Sequence, residues 1–340
     1  MTVYQVLDML QQPLRDYWSR TATPLVAVLS NPGSTRYDEA GEEVRAVVDA
    51  FPNTFHFELD SIESIPQALR MFAQARPAMV VINGGDGTIQ ATLSSIVNDR
   101  PFDVIPPVAI LPGGKTNMIA EDLGVRGRPA KVLARLLSLV ASGKLGEHVE
   151  LRNVIEMDLG DGHAPRVGMF FGAAGIVRGM LWCRKKIYPL KLPNLMSHAI
   201  AIGALIGSFI GLRRSDSPIR SDPMRINVKG GGIMQGRYSI VVVTTLDKLL
   251  LGMRPYGREG NGGLKFSSIG YGPRAMLNAL KGLVTGSFGR KTLPGVNTRR
   301  SDVIRFESRD PVTLDGEIFL PVAGHAVELR GEKSLAFVKL

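Results

Sequence analysis

The stretch Gly84-Gly85-Asp86-Gly87-Thr88 sets one carboxylate among three glycines, between the apolar run Val80-Val81-Ile82 and the helical pattern TIQATLSSIV. Glycines let backbone N–H groups converge without interference from Cβ, and a helix start just beyond them makes an anion site. A carboxylate in a phosphate cradle repels its ligand. It makes sense there if a Mg²⁺ ion lies between them or if a hydroxyl must lose a proton. The plainer alternative is a tight turn whose Asp86 caps the next helix. Three other groups carry polar chemistry at turns. They are Asn31-Pro32-Gly33, the run Pro112-Gly113-Gly114-Lys115-Thr116-Asn117, and Asp315-Gly316-Glu317. Asp-Gly is also a preferred pair for a two-residue hairpin turn. His56, His148, His163, His198 and His325 show no metal-ligand spacing, which argues against zinc. Neither a Gly-x-Ser-x-Gly elbow nor a Walker A loop occurs.

The elements around these groups follow two grammars. Up to about residue 150, buried strand patterns alternate with helical ones: LVAVLSNP, EEVRAVVDAF, NTFHFEL, ESIPQALRMFAQA, AMVVI, PVAILP and PAKVLARLLSLV. Such alternation predicts an α/β domain with a parallel sheet flanked by helices, and ligands gather at the carboxyl ends of its strands. Beyond it, short β-like runs such as HVELRNVIEMDL, YSIVVVTTL, GLKFSSIG and PVTLDGEIF predict a β-rich, sandwich-like domain with a helical insertion near 176–212. The expected domains are 1–150 and 151–340, with the last residues free to return to the first.

The chain has 340 residues, 44% of them hydrophobic and 21% charged, enough for two cores. Its single cysteine, Cys183, forbids an intrachain disulfide and fits a reducing compartment. The first residues read as a short amphipathic helix, without a secretory h-region. Charge is uneven. Residues 1–170 hold 15 Lys/Arg against 20 Asp/Glu, whereas 171–340 hold 26 against 11. A basic second half suits nucleic acid, anionic membrane or phosphorylated ligands, or is simply a solvated surface. Residues 193–212 contain no Asp, Glu, Lys or Arg, and basic residues flank them. They read as a buried helix, a membrane-surface element or a span. Trp182 beside Arg184, Lys185 and Lys186 reads either as a core residue with surface bases or as an interfacial anchor.

Taken in order, the Asn31-Pro32 turn, the glycine loop, Pro112-x-Gly114-Lys115-Thr116-Asn117-x-x-Ala120, FFGAAGIV and Asp315-Gly316-Glu317 resemble the diacylglycerol kinase catalytic family. That family includes bacterial soluble lipid kinases and the sphingosine and ceramide kinases. The resemblance runs from about residue 24 to 320. It implies ATP along the glycine loop and the Pro112–Asn117 loop, with Asn31, Gly84, Gly85, Gly87, Thr88, Gly114, Lys115, Thr116 and Asn117 at the nucleotide. It implies catalytic roles for Glu317 and Asp86, with Glu317 as base and Asp86 on the phosphate–metal side or the two roles reversed, Mg²⁺ held by Asp86 and Asp315, and the active site in the cleft between the domains. Three positions depart from the family pattern. Gln90-Ala91 replace Asn-Glu, Lys115 replaces Thr, and Gly262-Gly263 replace an Asp-Gly that serves metal.

The expected activity is transfer of the ATP γ-phosphoryl to a lipid alcohol, with diacylglycerol the default acceptor. A weakened or non-catalytic relative, and a kinase of a sphingoid base or of NAD, stay open. So does a homodimer. The expected setting is cytoplasmic, with peripheral contact to anionic membrane and no nucleic-acid partner.

Overall fold

The computed structural model describes residues 24–34, 37–114, 117–186, 222–249, 254 and 259–340. The chain divides into two compact units. One runs to Arg152 and is completed by Leu335–Leu340; the other is Asn153–Ser334.

In the first unit, β1 (Val26–Ser30), β3 (Met79–Asn83) and β4 (Val108–Ile110) are buried at every residue. That is the expected state of parallel strands covered on both faces. With β2 (Thr54–Glu58), β5 (Val149–Asn153) and β17 (Ser334–Val338) they form a six-stranded sheet of order β2-β1-β3-β4-β17-β5. The β1–β2, β1–β3, β3–β4 and β4–β17 pairings are parallel. Among the described residues, the α-helices of this unit are α1 (Tyr37–Ala50), α2 (Ile65–Ala75), α3 (Asp86–Asp99), α4 (Met118–Asp122) and α5 (Pro129–Ala141). α2 buries Ile65, Ala68, Leu69 and Phe72, one apolar stripe at helical spacing. Phe72 meets Phe55 of β2 edge to face at 5.2 Å. Proline in the first turn of both α2 and α5 fixes φ where no N–H partner is lost. A buried ion pair between Arg152 and Asp122 fastens the end of β5 to α4.

The strand order has a functional consequence. From β1 the chain steps to one side to make β2, then crosses back to the other side for β3 and β4. The loops leaving β1 and β3 therefore diverge from adjacent strand ends. In an open α/β sheet this reversal opens a crevice, where ligands bind. Asn31 and the glycine loop occupy those two ends.

The second unit is antiparallel. Its strands are β6 (Ile155–Asp158), β7 (Arg166–Gly168), β8 (Phe170–Ala174), β9 (Asp222–Val228), β10 (Gly232–Thr244), β11 (Leu264–Gly270), β12 (Val296–Ser301), β13 (Val303–Glu307), β14 (Val312–Leu314), β15 (Glu317–Phe319) and β16 (Val327–Arg330). They join in one eleven-stranded network that branches at the long β10. Residues 232–238 of β10 pair with β9, while 238–244 pair with β11 and 240–244 with β8. Sharing one strand among three neighbours curves the sheet around a core. Fully buried Phe171 and Phe306 stack there at 5.0 Å, with Phe266 beside them. α6 (Gly175–Lys186) follows β8 directly, and α7 (Pro273–Val284) packs on β11. The expectations for the N-terminal helix and for 193–212 fall outside the described residues. Among the described residues, no helix is long and apolar enough to cross a membrane.

Candidate active site

β3 ends in Asn83 and α3 begins at Asp86, so two residues turn strand into helix. Gly84 is required by packing: a Cβ there would stand 2.7 Å from Thr88 Cβ and 2.9 Å from its Oγ1. Gly85 occupies the N-cap position, and no side chain caps the helix. The amides of Gly87 and Thr88, which have no intrahelical partner, therefore meet no capping group. An anion placed there would meet them with the positive end of the helix behind it. Asp86 is half-buried in the first turn, and Thr88 is buried.

Two neighbouring loops close on this turn. At the end of β1, Asn31 Nδ2 donates to Thr88 Oγ1 at 2.7 Å, and its own Oδ1 accepts from the Gly33 amide at 2.9 Å. Thr88 Oγ1 thus accepts from Asn31, which leaves its hydroxyl hydrogen to donate elsewhere. After β4, Gly113 approaches so closely that a Cβ would lie 3.1 Å from Gly84 O. A Cβ on Gly114 would lie 3.3 Å from Asp86 Oδ1. Asn117 adopts the left-handed conformation, φ 50°, and its Oδ1 accepts from the Gly114 amide at 2.8 Å. Asn31, Gly84, Gly85, Asp86, Gly87, Thr88, Gly114 and Asn117 are thus gathered by three adjacent strand ends. Lys115 and Thr116 lie outside the described residues.

Beneath the loop lies a polar relay that sequence reading missed. Ser30 Oγ accepts from Asn83 Nδ2 at 3.1 Å and bonds His56 Nε2 at 2.9 Å. Burial holds the His56 imidazole below its ordinary pKa. Glu58 pulls it back up, Arg45 pushes it down and Asp49 raises it again. Arg45 and Glu58 form a bidentate pair at 2.7 and 2.8 Å. The period-two strand TFHFE was the visible signal, since parallel register sets His56 beside Val28 of β1.

The segment that builds this cradle matches a known family. Residues 25–146 match the diacylglycerol kinase catalytic domain. No curated protein matches the chain in sequence. Among solved structures, a candidate diacylglycerol kinase from Bacillus anthracis str. Sterne superposes with a TM-score of 0.63 at 16% identity. That likeness covers 94% of this chain and 99% of the other. A second crystal structure, of a diacylglycerol kinase from the same organism, gives 0.54 at 16% identity, covering 94% and 98%. At these identities the likeness establishes the fold, an α/β unit followed by an antiparallel β-rich one.

Outside the diacylglycerol kinase catalytic match, the second unit carries the other two expected residues. β14 and β15 form a hairpin with Leu314 opposite Glu317. Asp315 and Gly316 both take positive φ, 47° and 93°, as a two-residue primed turn demands. Asp315 is buried. Its carboxylate accepts from the Met169 amide at 3.0 and 3.1 Å and from the Phe170 amide at 2.8 Å. Gly168 makes room for it: a Cβ there would lie 2.3 Å from Asp315 Oδ2. The expectation gave Asp315 to metal; in this conformation its oxygens clamp the hairpin to the β7–β8 junction. Glu317, at the hairpin's exposed end, is open to solvent.

One departure from the family pattern has a local cause. Gly262 has φ 131°, and a Cβ would stand 2.3 Å from Ser301 C. At Gly263 a Cβ would stand 2.3 Å from Gly331 O. An aspartate cannot occupy either place without moving backbone. Gln90 is buried, and its Nε2 has no hydrogen-bond partner among the described residues. Among the described residues, no group of three or more His, Cys, Asp or Glu side chains could hold a metal.

Proposed function

We propose that this protein is an ATP-dependent lipid kinase that transfers the γ-phosphoryl group to a lipid hydroxyl, with diacylglycerol as the first acceptor to try. The observation that carries the reading is the uncapped start of α3, ringed by Gly84, Gly113 and Gly114 with Asp86 at its edge. A polyphosphate fits it because glycines at 84, 113 and 114 let the turns approach closely while the first-turn amides meet no cap from Gly85. Mg²⁺ fits too, since that ion takes one or two carboxylates and completes its shell with phosphate oxygens and water. Asp86 would be the protein ligand, and bound Mg²⁺ would neutralise charge on the transferred group.

The residues divide the task. First-turn amides orient the phosphates, and Thr88, held by Asn31, donates its hydroxyl hydrogen to a phosphate oxygen. Asn117 accepts the Gly114 amide hydrogen and so holds that loop beside the same space. Glu317 takes the proton from the acceptor hydroxyl. Asp315 holds the Glu317 hairpin through the Met169 and Phe170 amides. Phosphoryl transfer depends chiefly on such positioning and charge neutralisation.

A specific observation favours a second reading, a nucleotide- and lipid-binding protein without turnover: backbone fills the space of a family metal acid at Gly262. Isothermal titration with ATP and Mg²⁺ tests the nucleotide site directly. Wild type should bind, and Asp86→Asn should lose the Mg²⁺ dependence while melting as wild type. ATP binding that ignores both the ion and the substitution would refute the assignment of Asp86. Binding without any product in a lipid assay would favour the second reading.

A further inference from the structure

Helix α7 wears its apolar residues on both faces. The inner face, Ala275, Met276 and Ala279, forms a small core with Ile269 and Phe288. It is pressed tight: a Cβ on Gly282 would stand 2.5 Å from Leu293 Cδ1. The outer face carries Arg274, Leu277, Lys281 and Val284, which recur every three or four residues and so line one stripe. Tyr271 precedes them by one turn. Leu277 is 66% exposed, Val284 81% and Tyr271 63%. A surface helix whose inner stripe already satisfies the core ordinarily turns polar residues outward.

The charge pattern is independent of that packing. Residues 260–301 contain seven Lys/Arg and no Asp or Glu. Lys265 is buried and paired with Asp247 at 2.6 Å. The other six, Arg274, Lys281, Arg290, Lys291, Arg299 and Arg300, have no acid within their own segment. An exposed apolar stripe that carries Arg274 and Lys281, in a segment without acids, complements a surface that is negative outside and greasy just beneath. A bilayer of anionic phospholipid is such a surface. A nucleic-acid backbone rewards the cations but not Leu277 and Val284.

We propose that the outer face of α7, with Tyr271, docks peripherally on anionic phospholipid membrane. The choice of a bilayer rests on the proposed function, whose acceptor lies in one. Arg274 and Lys281 meet headgroup phosphates, while Leu277, Val284 and Tyr271 enter the headgroup boundary.

The test uses the full chain, without nucleotide or acceptor, so it does not depend on turnover. Co-sedimentation is measured with vesicles of phosphatidylcholine alone and of phosphatidylcholine with phosphatidylglycerol. Wild type should bind the anionic vesicles and leave the neutral ones. Arg274→Gln/Lys281→Gln should weaken binding about 25-fold, roughly fivefold per cation. Leu277→Ser/Val284→Ser should weaken it about tenfold or more. Both variants should melt as wild type, because the replaced side chains are exposed. If the variants bind as wild type does, or wild type shows no preference for the anionic vesicles, the proposal is overturned. The same holds if wild type binds duplex DNA at equal salt while ignoring vesicles, or self-associates through a contact that Leu277→Ser/Val284→Ser abolishes. A kinase failing this test would still phosphorylate a short-chain soluble acceptor, which separates this proposal from the catalytic one.

Discussion

Asp86 and Thr88 sit two residues apart on one helix turn, yet they do opposite work. Thr88 is buried and receives Asn31 Nδ2, which fixes its hydroxyl as a donor. Asp86 is half-buried at the rim beside Gly114. Replacing Asp86 by Asn keeps the shape and removes the charge, so phosphoryl transfer should fall at least about a hundredfold with no change in melting temperature. Gly84 tests the cradle itself. In Gly84→Ala the new methyl would meet Thr88 at 2.7 Å, inside van der Waals contact. Overpacking of this kind costs about 1–3 kcal/mol. A urea titration should register that loss, and ATP affinity should fall with it. An unaltered midpoint would mean that the turn is looser than its geometry indicates.

At the level of elements, the β14–β15 hairpin depends on Asp315. Its carboxylate satisfies the amides of Met169 and Phe170, about 145 residues earlier in the chain. Asp315→Ala strands both, and the loss should be about 3 kcal/mol by urea unfolding. Glu317→Gln at the exposed end should leave stability alone and lower turnover. Both substitutions touch neighbouring residues of one motif, so the contrast separates anchoring from chemistry. The motif was legible in sequence as a primed turn or as acids for metal. What the sequence could not reveal was the partner of Asp315, because amides far away in the chain carry no side-chain signature. The last residues were left free to return to the first domain, but SLAFV looks like any late β run, and only its pairing beside β4 makes it a parallel strand of the first sheet. α7 and β12 were also unread, since glycines at 272, 282, 286 and 295 break up their pattern. The strand–helix alternation before residue 150 was plain because full burial writes unbroken apolar runs. The glycine-loop site was plain for a related reason: close backbone approach leaves glycine no substitute.

The whole molecule responds to acid through groups in both units. His56 has its pKa lowered by burial, so the unfolded chain binds a proton more readily than the folded one below about pH 6.5. Its contribution is therefore complete above that pH and is lost as pH falls. Glu328 is pushed up by burial, but Arg305 and Arg330 outweigh this and bring it below the usual carboxylate range. Arg166 does the same for Asp161. Those two stabilise above the unfolded carboxylate pKa and fail only in stronger acid. The urea midpoint should thus decline in two stages, the first between about pH 7 and 5. His56→Gln, which can still bond Ser30, should flatten that first stage and spare the second. A first stage unchanged in the variant would place its proton uptake elsewhere.

The central claim is that phosphate held at the α3 start is handed to a lipid alcohol. It is tested most directly by incubating the purified chain with γ-labelled ATP, Mg²⁺ and diacylglycerol in mixed micelles, then separating the phases. The account predicts label in a phosphatidate-like product in the organic phase, absent when Asp86→Asn replaces wild type. Label that stays in the aqueous phase, with diacylglycerol or with a broad lipid extract, while ATP still binds, would contradict it.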